Sequence, residues 1–485
     1  MSNKYILGID QSTQGTKGLL FDSKGNLIMS SHMAHEQIID SRGFVEHDPI
    51  EIINNTVEIV KSVVEQAGVN KNDILGIGIS NQRETVVVWD KQTGEPLQNA
   101  IVWQCSRGEE ICKRIEAAGH NSLIKDRTGL NLSPYFSAAK ISWIIKNVKG
   151  AREKSEREEV CCGTIDSWLI FNLTNGKEFK TDYSNASRTQ LFDIEELIWN
   201  KEICELFGIN IKTLPEVCDS NSCFGQTDFN GYFDNPIPIH GVLGDSNGAL
   251  LAQGCFTKGM AKSTYGTGSS VMMNIGAKPI SSKNGLVTSL AWGIDGQVAY
   301  ALEGNVNNSG AVITWIEKDL KLIKSPNESE SLAKKANPLD RTYLVPAFTG
   351  LGAPYWDSNA TGIITGITRT TGQAEVVKAA LDSIAYQITD IIKIMSEDSN
   401  INIEELRVDG GATKNSYLMQ FQSDMLGIPI QMANIEEISG TGVAYLAGIA
   451  LDFYEKDIIF SNIRRTKYEK KMTNEEQTKL YKGWK

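Results

Sequence analysis

Apolar runs alternate with short polar loops from the start of the chain. Apolar residues dominate 5–9 and 18–21, and the segment between them, "DQSTQGTK" (10–17), is rich in hydroxyls and glycine. This pattern predicts a β-hairpin, with residues 24–26 forming the next turn. A second hairpin is predicted within 259–276, where "STYGTGSS" separates two strand-like arms. The likeness of the two hairpins suggests an internal repeat and two related domains.

Helical spacing is clearest between residues 48 and 68. Asp48 suits the N-cap, Pro49 the first turn and Gly68 the end, around a stripe formed by Ile53, Val57, Val60 and Val64. Further helices are predicted at 136–148, at 374–395 and from about Asn415, and strands at 74–80 and 405–411. Strands thus alternate with helices while hairpins are also present, which favours mixed α/β sheets. We place the domain boundary near residue 250, giving domains 1–250 and 251–485.

Composition narrows the class of protein. The 485 residues exceed what one hydrophobic core supports, and a hydrophobic content of 41% is ordinary for a globular protein. The formal charge of −11 argues against nucleic-acid binding, which needs a basic face. No run of about 18 uncharged apolar residues occurs, and the N-terminus enters a predicted strand instead of a signal peptide. We therefore expect a cytoplasmic protein without a membrane partner.

Cysteine and histidine usage indicates no metal site. The eight cysteines form no CxxC pair and lack regular spacing, so reduced and mostly buried thiols are expected. The five histidines are scattered without the spacing of metal ligands. Neither residue type is assigned any chemistry.

Four polar loops are candidates for chemistry: 10–17, 244–249, 265–270 and 409–416. In the first, third and fourth, glycines permit close backbone approach, and hydroxyls with free N–H groups supply donors for a polyphosphate. Gly410 and Gly411 directly precede a predicted helix, whose N-terminus favours an anion. No loop matches the Walker or dinucleotide-binding patterns, and any one of them also fits a simple turn. Three together favour a nucleotide-binding cleft.

Several longer motifs resemble those of glycerol kinases, a branch of the FGGY carbohydrate kinases. They occur in order along residues 5 to about 453: "GIDQSTQGTKGLLFD", "GISNQRETVVVWDKQTGEPLQNAIVWQ", "SPYFSAAKISWI", "TDYSNASRT", "TYGTG", "VPAFTGLGAPYWD" and "LRVDGGATKNSYLMQFQSDMLG". The resemblance implies an actin/hexokinase-like (ribonuclease H-like) α/β fold. Two domains, each with a mixed five-stranded sheet, would close on ATP and a small polyol.

The resemblance also implies roles for individual residues in the phosphoryl-transfer site. It makes Asp245 the general base and Asp10 the acid that holds Mg²⁺ through water, although both aspartates also fit turn-capping roles. It implies nucleotide contacts for eight residues: Thr13, Gln14, Lys17, Gly266, Thr267, Gly310, Gly411 and Asn415. The family often has a hydroxyl at position 14 and Arg at 17, so Lys17 keeps the charge but loses the bidentate fork.

The implied polyol pocket consists of Arg83, Glu84, Trp103, Tyr135, Asp245, Ser246 and Ser270. From the residues alone, the Arg–Glu pair also fits a solvated surface pair, and the tryptophan also fits a core position. Glycerol kinases usually have Gln at the position of Ser246 and Phe at that of Ser270. Both differences enlarge the pocket and make it more polar. A four- or five-carbon alditol or ketose, such as erythritol or xylulose, is therefore the alternative to glycerol.

Two other classes of protein share the phosphate hairpins. A non-enzymatic actin-like ATPase clamp would have no use for Arg83, Glu84, Trp103 and Asp245 together. A phosphatase-like enzyme acting on polyphosphate would favour a basic channel, which this acidic chain does not indicate. Because relatives are often dimers or tetramers, a homo-oligomer is expected.

Overall fold

The computed structural model describes residues 4–357 and 359–485 and places most strands in two large sheets. In chain order the strands are β1 Tyr5–Ser12, β2 Gly15–Phe21, β3 Leu27–Ala34, β4 Ile38–Ile39, β5 Val45–His47, β6 Ile74–Asn81, β7 Val86–Asp90, β8 Ala100–Ile101, β9 Val160–Thr164, β10 Lys180–Asp182, β11 Phe192–Asp193, β12 Ile198–Trp199, β13 Glu216–Cys218, β14 Gln226–Thr227, β15 Ile237–Gly244, β16 Ala261–Tyr265, β17 Ser269–Gly276, β18 Val287–Ile294, β19 Gln297–Val306, β20 Tyr343–Val345, β21 Ile363–Thr365, β22 Leu406–Asp409, β23 Ile430–Ala433 and β24 Arg465–Tyr468.

Helices lie between and around these sheets. In chain order they are α1 Pro49–Ala67, α2 Glu109–Ala117, α3 Asn121–Thr128, α4 Ser137–Asn147, α5 Ala151–Glu156, α6 Ile165–Leu173, α7 Tyr183–Ala186, α8 Lys201–Phe207, α9 Asp245–Ala252, α10 Gly310–Lys318, α11 Glu328–Lys335, α12 Gln373–Ser399, α13 Ser416–Leu426, α14 Ile438–Ala450, α15 Lys456–Ser461 and α16 Asn474–Trp484. Short 3₁₀ turns occur at Lys71–Asp73, Ile211–Thr213 and Gly411–Lys414.

The two large sheets share one core topology. The first has the order β14-β15-β6-β1-β2-β3 and the second the order β18-β19-β17-β16-β22-β23-β24. In both, three antiparallel strands continue into two parallel strands, so that β3-β2-β1-β6-β15 matches β19-β17-β16-β22-β23. The first three are consecutive in the first sheet, whereas β18 lies between β17 and β19 along the chain in the second. The two predicted hairpins are confirmed as β1–β2 and β16–β17. Each sheet contains the expected five strands, and antiparallel edge strands (β14, β18 and β24) widen it further.

Helix α1 shows how local sequence signals define an element. The Asp48 carboxylate accepts the Ile50 N–H at 2.8 Å, Pro49 begins the helix, and Gly68 ends it with a φ of 63°. The predicted helix is confirmed. Its buried stripe is wider than expected, since Ile52, Ile59 and Val63 are also buried while Ile53 is only half-buried. Because α1 packs against β2 and β3, its helical period continues the core of the first sheet.

The remaining predicted elements agree with the structure to within a few residues. The strand at 74–80 is β6, the strand at 405–411 is the shorter β22, and the helix at 136–148 is α4. The helix predicted at 374–395 is α12, which runs on to Ser399, and the helix from about Asn415 is α13.

Two helices, α9 and α14, pack on each other between the large sheets. Helix α14 comes late in the chain but lies on the first sheet, where glycines permit backbone contact. A Cβ atom at Gly8 would stand 2.7 Å from the Gly440 carbonyl oxygen, and one at Gly78 would stand 2.2 Å from that of Val443. Residue 250 lies inside α9, in this shared layer. The boundary near residue 250 stays a prediction.

Candidate active site

Strand topology brings the predicted catalytic residues to one edge of the first sheet. β1, β6 and β15 run parallel, with Asp10 opposite Ser80 and Gly244 opposite Asn81. The carboxyl ends of parallel strands meet at one edge, where ligands commonly bind. The edge therefore collects Asp10, the "NQRE" loop after β6, and Asp245 after β15.

Asp10 is a buried carboxyl group with one hydrogen-bond partner of its own. The Ser80 hydroxyl donates to its Oδ1 at 2.8 Å. Burial raises the pKa of Asp10 to about 6, the Ser80 hydrogen bond acts against this, and the nearby Asp245 carboxylate adds to it. The site thus holds two close carboxyl groups, and the ionised form of Asp10 would be stabilised by a bound cation.

A buried network of alternating charges surrounds the "NQRE" loop. Arg83 donates both Nη groups to Glu303, at 2.9 and 2.6 Å, and Arg188 donates its Nε to Glu84 at 2.5 Å. Arg188 Nη1 also lies 3.0 Å from Glu303 Oε2, an ion-pair contact without the alignment of a hydrogen bond. Burial disfavours the charge on Glu303, but Arg188 and Arg83 outweigh it and lower its pKa to about 2. All four side chains are almost fully buried, so the solvated Arg–Glu pair is excluded.

Glu84 is held in an uncommon backbone conformation. Its φ is 62°, in the left-handed region that is costly for a non-glycine residue. The Ser137 hydroxyl donates to its carbonyl oxygen at 3.1 Å, and Arg188 fixes its side chain. Strain of this kind concentrates at functional sites, where the surrounding structure holds it in place.

Asp245 begins helix α9, and its carboxylate reaches the solvent of the cleft. Its side chain is 40% exposed, whereas the neighbouring Arg83 side chain is 4% exposed. Arg83 Nε lies 3.3 Å from Asp245 Oδ1, and the Ser246 N–H donates to the same oxygen at 2.6 Å. These contacts orient one carboxylate oxygen and leave the carboxylate accessible to a ligand.

Trp103 and Tyr135 form an aromatic wall that joins the first hairpin to the charge network. Their ring centroids are 5.4 Å apart, and the Trp103 indole N–H donates to Thr13 Oγ1 at 2.9 Å. Burial raises the pKa of Tyr135, so its phenol stays protonated and able to donate. Trp103 is only half-buried, which agrees with a pocket wall better than with the core alternative.

The tip of the first hairpin is polar and partly engaged. Gln14 is exposed, whereas Lys17 forms an ion pair with Glu437, its Nζ 2.5 Å from Oε2. Glu437 directly precedes α14 and has a φ of 56°. A phosphate binding at Lys17 would have to compete with this carboxylate.

In the second half, the start of α10 holds the loop 266–268. The Gly310 N–H donates to the Gly266 carbonyl at 2.9 Å, and the Ala311 N–H donates to that of Thr267 at 3.0 Å. A Cβ at Gly310 would stand 2.6 Å from the Gly266 oxygen, so this close approach requires glycine. The structure therefore brings Gly266, Thr267 and Gly310 together, as the resemblance implied.

The loop after β22 lies beside this turn. β16 and β22 pair in parallel with Thr264 opposite Asp409, so the loops that follow them share one edge. Gly411 faces open space, since a Cβ there would meet no atom within 4 Å. The Asn415 side chain caps α13 by accepting the Leu418 N–H at 3.0 Å, and it donates to Ser329 at 3.1 Å. Asn415 thus has a structural role of its own, and a nucleotide contact stays a prediction.

Ser246 and Ser270 are both half-buried. Ser246 lies in the first turn of α9, and Ser270 lies in β17 opposite Thr264. Ser270 Oγ is 3.4 Å from the ammonium of Lys262, a buried lysine for which the sequence indicated no role. The site is therefore more polar here than the sequence alone showed.

Four charged residues of the site were not predicted from the sequence: Arg188, Lys262, Glu303 and Glu437. Arg188 lies within "TDYSNASRT", so its motif was noticed but not its role. Glu303 is an isolated acid in the mostly apolar strand β19, a pattern that indicates a paired buried charge. Lys262 lies in β16, where Ser263 and Thr264 are also polar, so no comparable pattern marks it in the sequence.

Within 4–357 and 359–485, no cluster of three or more His, Cys, Asp and Glu side chains is arranged to hold a metal. A Mg²⁺ site needs no such cluster, because Mg²⁺ keeps several waters and takes one or two carboxylates together with phosphates. The described cysteines form no disulfides, and most are buried. No helix in the described part of the chain is long and apolar enough to cross a bilayer.

Comparison with known proteins agrees with this geometry. Residues 5–252 match the N-terminal domain, and residues 261–451 the C-terminal domain, of the FGGY family of carbohydrate kinases. A glycerol kinase of Thermoanaerobacter sp. (strain X514) is 49% identical over 99% of this chain and 97% of its own length. Glycerol kinase 2 of Thermotoga maritima is 47% identical, with the same two coverages.

Solved structures extend the comparison to the fold. Glycerol kinase of Plasmodium falciparum with ADP superposes with a TM-score of 0.94 at 37% identity, over 100% of this chain and 97% of that one. Gluconate kinase of Lactobacillus acidophilus superposes with a TM-score of 0.89 at 22% identity, over 100% and 96% of the two chains. The second likeness concerns the fold alone.

Proposed function

The chain belongs to the FGGY family of carbohydrate kinases, and on this premise we propose that it phosphorylates a small polyol with ATP, converting glycerol to glycerol 3-phosphate. That the protein is a phosphotransferase follows from the family. The names of its relatives favour glycerol. The observation that carries the proposal is the accessible carboxylate of Asp245, oriented by Arg83 at the edge where Asp10 also lies.

We assign Asp245 as the general base. The substrate hydroxyl oxygen attacks the γ-phosphorus of ATP, the bond from that phosphorus to the bridging oxygen breaks, and ADP leaves. The hydroxyl proton passes to Asp245, whose carboxylate is held by Arg83 Nε at 3.3 Å. Positioning and charge neutralisation account for most of the catalysis in such a transfer.

Asp10 is the residue that we assign to Mg²⁺. Its buried carboxyl group uses one oxygen for Ser80 and lies near Asp245, which suits a cation that takes few carboxylates. When bound, Mg²⁺ would neutralise charge on the phosphates. Lys17 adds a cation at the same hairpin once ATP displaces Glu437 from it.

Glu84 and Tyr135 are the polar groups that we assign to the polyol, with Trp103 as the wall for its carbon chain. A carboxylate accepts from the substrate hydroxyls, and a protonated phenol donates to them. Arg83 is less available to bind the polyol hydroxyls than the resemblance implied, because both of its Nη groups already bind Glu303. We therefore assign Arg83 mainly to orienting Asp245.

The alternative within the family is a longer substrate. Ser246 and Ser270 are short polar residues, and the Ser270 hydroxyl lies next to the Lys262 ammonium. A four- or five-carbon alditol or ketose would place an additional hydroxyl in this polar region. A single altered pocket contact discriminates between substrates by only about 1–3 kcal/mol, so overlapping activities are expected.

One panel of assays tests these assignments. ADP release from ATP and Mg²⁺ is measured with no polyol, glycerol, erythritol, xylitol and xylulose. We expect glycerol to stimulate turnover, and the ratio of kcat/KM values ranks the substrates. A higher kcat/KM for a longer substrate would replace glycerol by the alternative. ADP release that no polyol increases would overturn the proposal and favour an ATPase clamp or a hydrolase.

Asp245→Asn is the matched variant for the panel. It preserves the size of the side chain and removes its basicity, so kcat should fall about 10²- to 10⁴-fold. Calorimetric titration with glycerol and with ATP should show that binding persists. A variant that keeps wild-type kcat would contradict the assignment of the base.

A homo-oligomer in the cytoplasm remains part of the proposal. Exposed large apolar side chains concentrate between residues 348 and 367, including Phe348, Trp356, Ile363 and Ile367. Patches of this kind often mark contacts between chains. Light scattering of the purified protein measures the oligomeric state, and cell fractionation checks the location.

A further inference from the structure

Lys140 and Lys262 are both fully buried, but their ammonium groups are satisfied very differently. Lys140 donates to three successive backbone carbonyls, those of Pro134 and Phe136 at 2.8 and 3.0 Å and that of Tyr135 between them. Lys262 donates to Thr264 Oγ1 at 3.1 Å, and its other hydrogen bonds among the described residues are two longer ones, both at 3.4 Å, to the hydroxyl and carbonyl oxygens of Ser270. Its three partners are all neutral, and two of them are long.

The charged groups around Lys262 do not pair with it directly. Asp409 on β22, Glu303 on β19 and Asp245 on α9 favour its charge from a distance, and Arg83 opposes it. Burial dominates and lowers the pKa of Lys262 below its usual value. A buried charge without a carboxylate partner costs stability, and an apolar side chain of similar volume is often better tolerated. The fold therefore gains nothing obvious from this ammonium group.

The position of Lys262 favours a role in phosphoryl transfer over a role in stability. Thr264 lies two residues further along β16 on the same face, one residue before the strand ends at Tyr265 and the loop 266–268 begins. Ser270 faces Thr264 from β17, and both side chains are half-buried at the cleft. A hydroxyl oxygen that accepts from the ammonium must direct its own hydrogen elsewhere. The Thr264 hydroxyl interacts with the Asp409 carboxylate of β22, so the Ser270 hydroxyl is the one that the ammonium orients beneath the loop.

We propose that Lys262 is a positioning residue for phosphoryl transfer, one that orients the Ser270 hydroxyl toward the cleft and places an ammonium group beneath the loop 266–268. This inference rests on the proposed function, because it assigns that loop to the phosphates of ATP. Preorganised donors and charge of this kind act on the charge that develops during transfer.

The test is Lys262→Met, which keeps the length and volume of the side chain and removes the charge. We expect kcat to fall about 10²-fold, the effect of losing one preorganised donor group, with a smaller change in the KM for the polyol. We also expect the affinity for ATP to fall about tenfold by calorimetry, and the affinity for AMP to stay unchanged. Thermal unfolding should show a Tm equal to or above that of the wild type, because an unpaired buried charge is gone.

Lys140→Met is the comparison variant. This substitution removes the ammonium group that donates to three backbone carbonyl oxygens, so the Tm of the variant should fall clearly. Lys467→Met, on the exposed strand β24, is the surface control and should match the wild type in kcat and Tm. A merely structural role for Lys262 predicts the behaviour of Lys140→Met, with a lowered Tm and no selective loss of ATP over AMP.

The outcomes separate this inference from the proposed function. The wild type could fail to phosphorylate any polyol while Lys262→Met still lowers the affinity for ATP and leaves the affinity for AMP unchanged. In that case the proposed function fails and the role of Lys262 at the phosphates stands. If Lys262→Met keeps kcat and ATP affinity within twofold of the wild type, the role of Lys262 is overturned whatever the substrate. A Tm that falls as far as in Lys140→Met, without selective loss of ATP, overturns it equally.

Discussion

The hairpins β1–β2 and β16–β17 occupy equivalent places in their sheets, yet they bury opposite charges. The first carries Asp10 near its turn, with burial raising the pKa of the carboxyl to about 6. The second carries Lys262 below its turn, and burial lowers the pKa of that ammonium. Within residues 4–357 and 359–485, neither group has an opposite charge in direct contact that would explain its place in the fold.

This difference shows that a repeated backbone need not repeat its chemistry. Both hairpins have a glycine-containing turn at the same cleft. An acidic residue, Asp10, lies next to the first turn, and a basic residue, Lys262, lies next to the second. An acid suits a metal cation and a base suits a phosphate, so the pair would divide the recognition of a Mg²⁺-bound triphosphate between the two halves.

The halves also differ in their histidine content. All five histidines lie in the first 240 residues. His35 and His47 are buried against each other with ring centroids 4.4 Å apart, and Nε2 of both rings and Nδ1 of His35 have no hydrogen-bond partner in the described part of the chain. The second half has no counterpart to this pair.

The largest expected effect comes from removing the acid of the first hairpin. Asp10→Asn should lower kcat about 10³-fold, because metal-mediated charge stabilisation is worth several kcal/mol. Its free energy of unfolding should stay the same or rise, since the buried carboxylate is gone. Steady-state kinetics and urea unfolding at pH 7 check both, with the exposed Asp126→Asn as control. A kcat within tenfold of the wild-type value would contradict the assignment of Asp10 to Mg²⁺.

The second prediction concerns the charge network that joins the halves. Glu303→Gln leaves Arg83 and Arg188 buried with one carboxylate fewer, so the free energy of unfolding should fall by about 3–5 kcal/mol. Chemical unfolding followed by tryptophan fluorescence measures this, and Glu397→Gln on the exposed face of α12 serves as control. Equal stability of the two variants would mean that the halves do not depend on this network.

The smallest expected effect is a loss of stability in mild acid that originates at His47 in the first half. Burial lowers the pKa of His47 from 6.5 to about 3, so the folded protein binds this proton less readily than the unfolded chain. Stability is therefore full above pH 6.5 and falls as the pH drops below it, by about 2 kcal/mol at pH 5. His47→Gln should lose less stability than the wild type between pH 7 and pH 5, whereas His120→Gln should behave like the wild type. Identical pH profiles for all three proteins would contradict the buried neutral histidine.

Elements with local signals were predictable from the sequence. The two hairpins have glycine-containing turns between apolar arms, and α1 has a capping aspartate, a proline at its start and a terminal glycine, all of which act within a few residues. The edge strands β14 and β24 were not foreseen. They are two and four residues long, too short to show a period, and pairing with a neighbouring strand defines them.

Some features of the candidate site were likewise predictable from local sequence, and others depend on contacts between remote segments. Asp10, Asp245 and the glycine loops lie in motifs that could be read directly, and the fold brings them to shared sheet edges. The pairing of Arg83 with Glu303 could not be read, because the two residues are 220 positions apart and belong to different halves. The ion pair of Lys17 with Glu437 spans 420 positions and escaped for the same reason.

The amino-acid sequence by itself determined the hairpins, the helix ends, the α/β class and the family, because turn residues, caps and apolar periods act over short distances. Only the tertiary structure decided which buried charges are neutralised and which are left exposed to a ligand. That decision depends on the distance between side chains from remote segments, and burial strengthens both the attraction of a partner and the cost of lacking one.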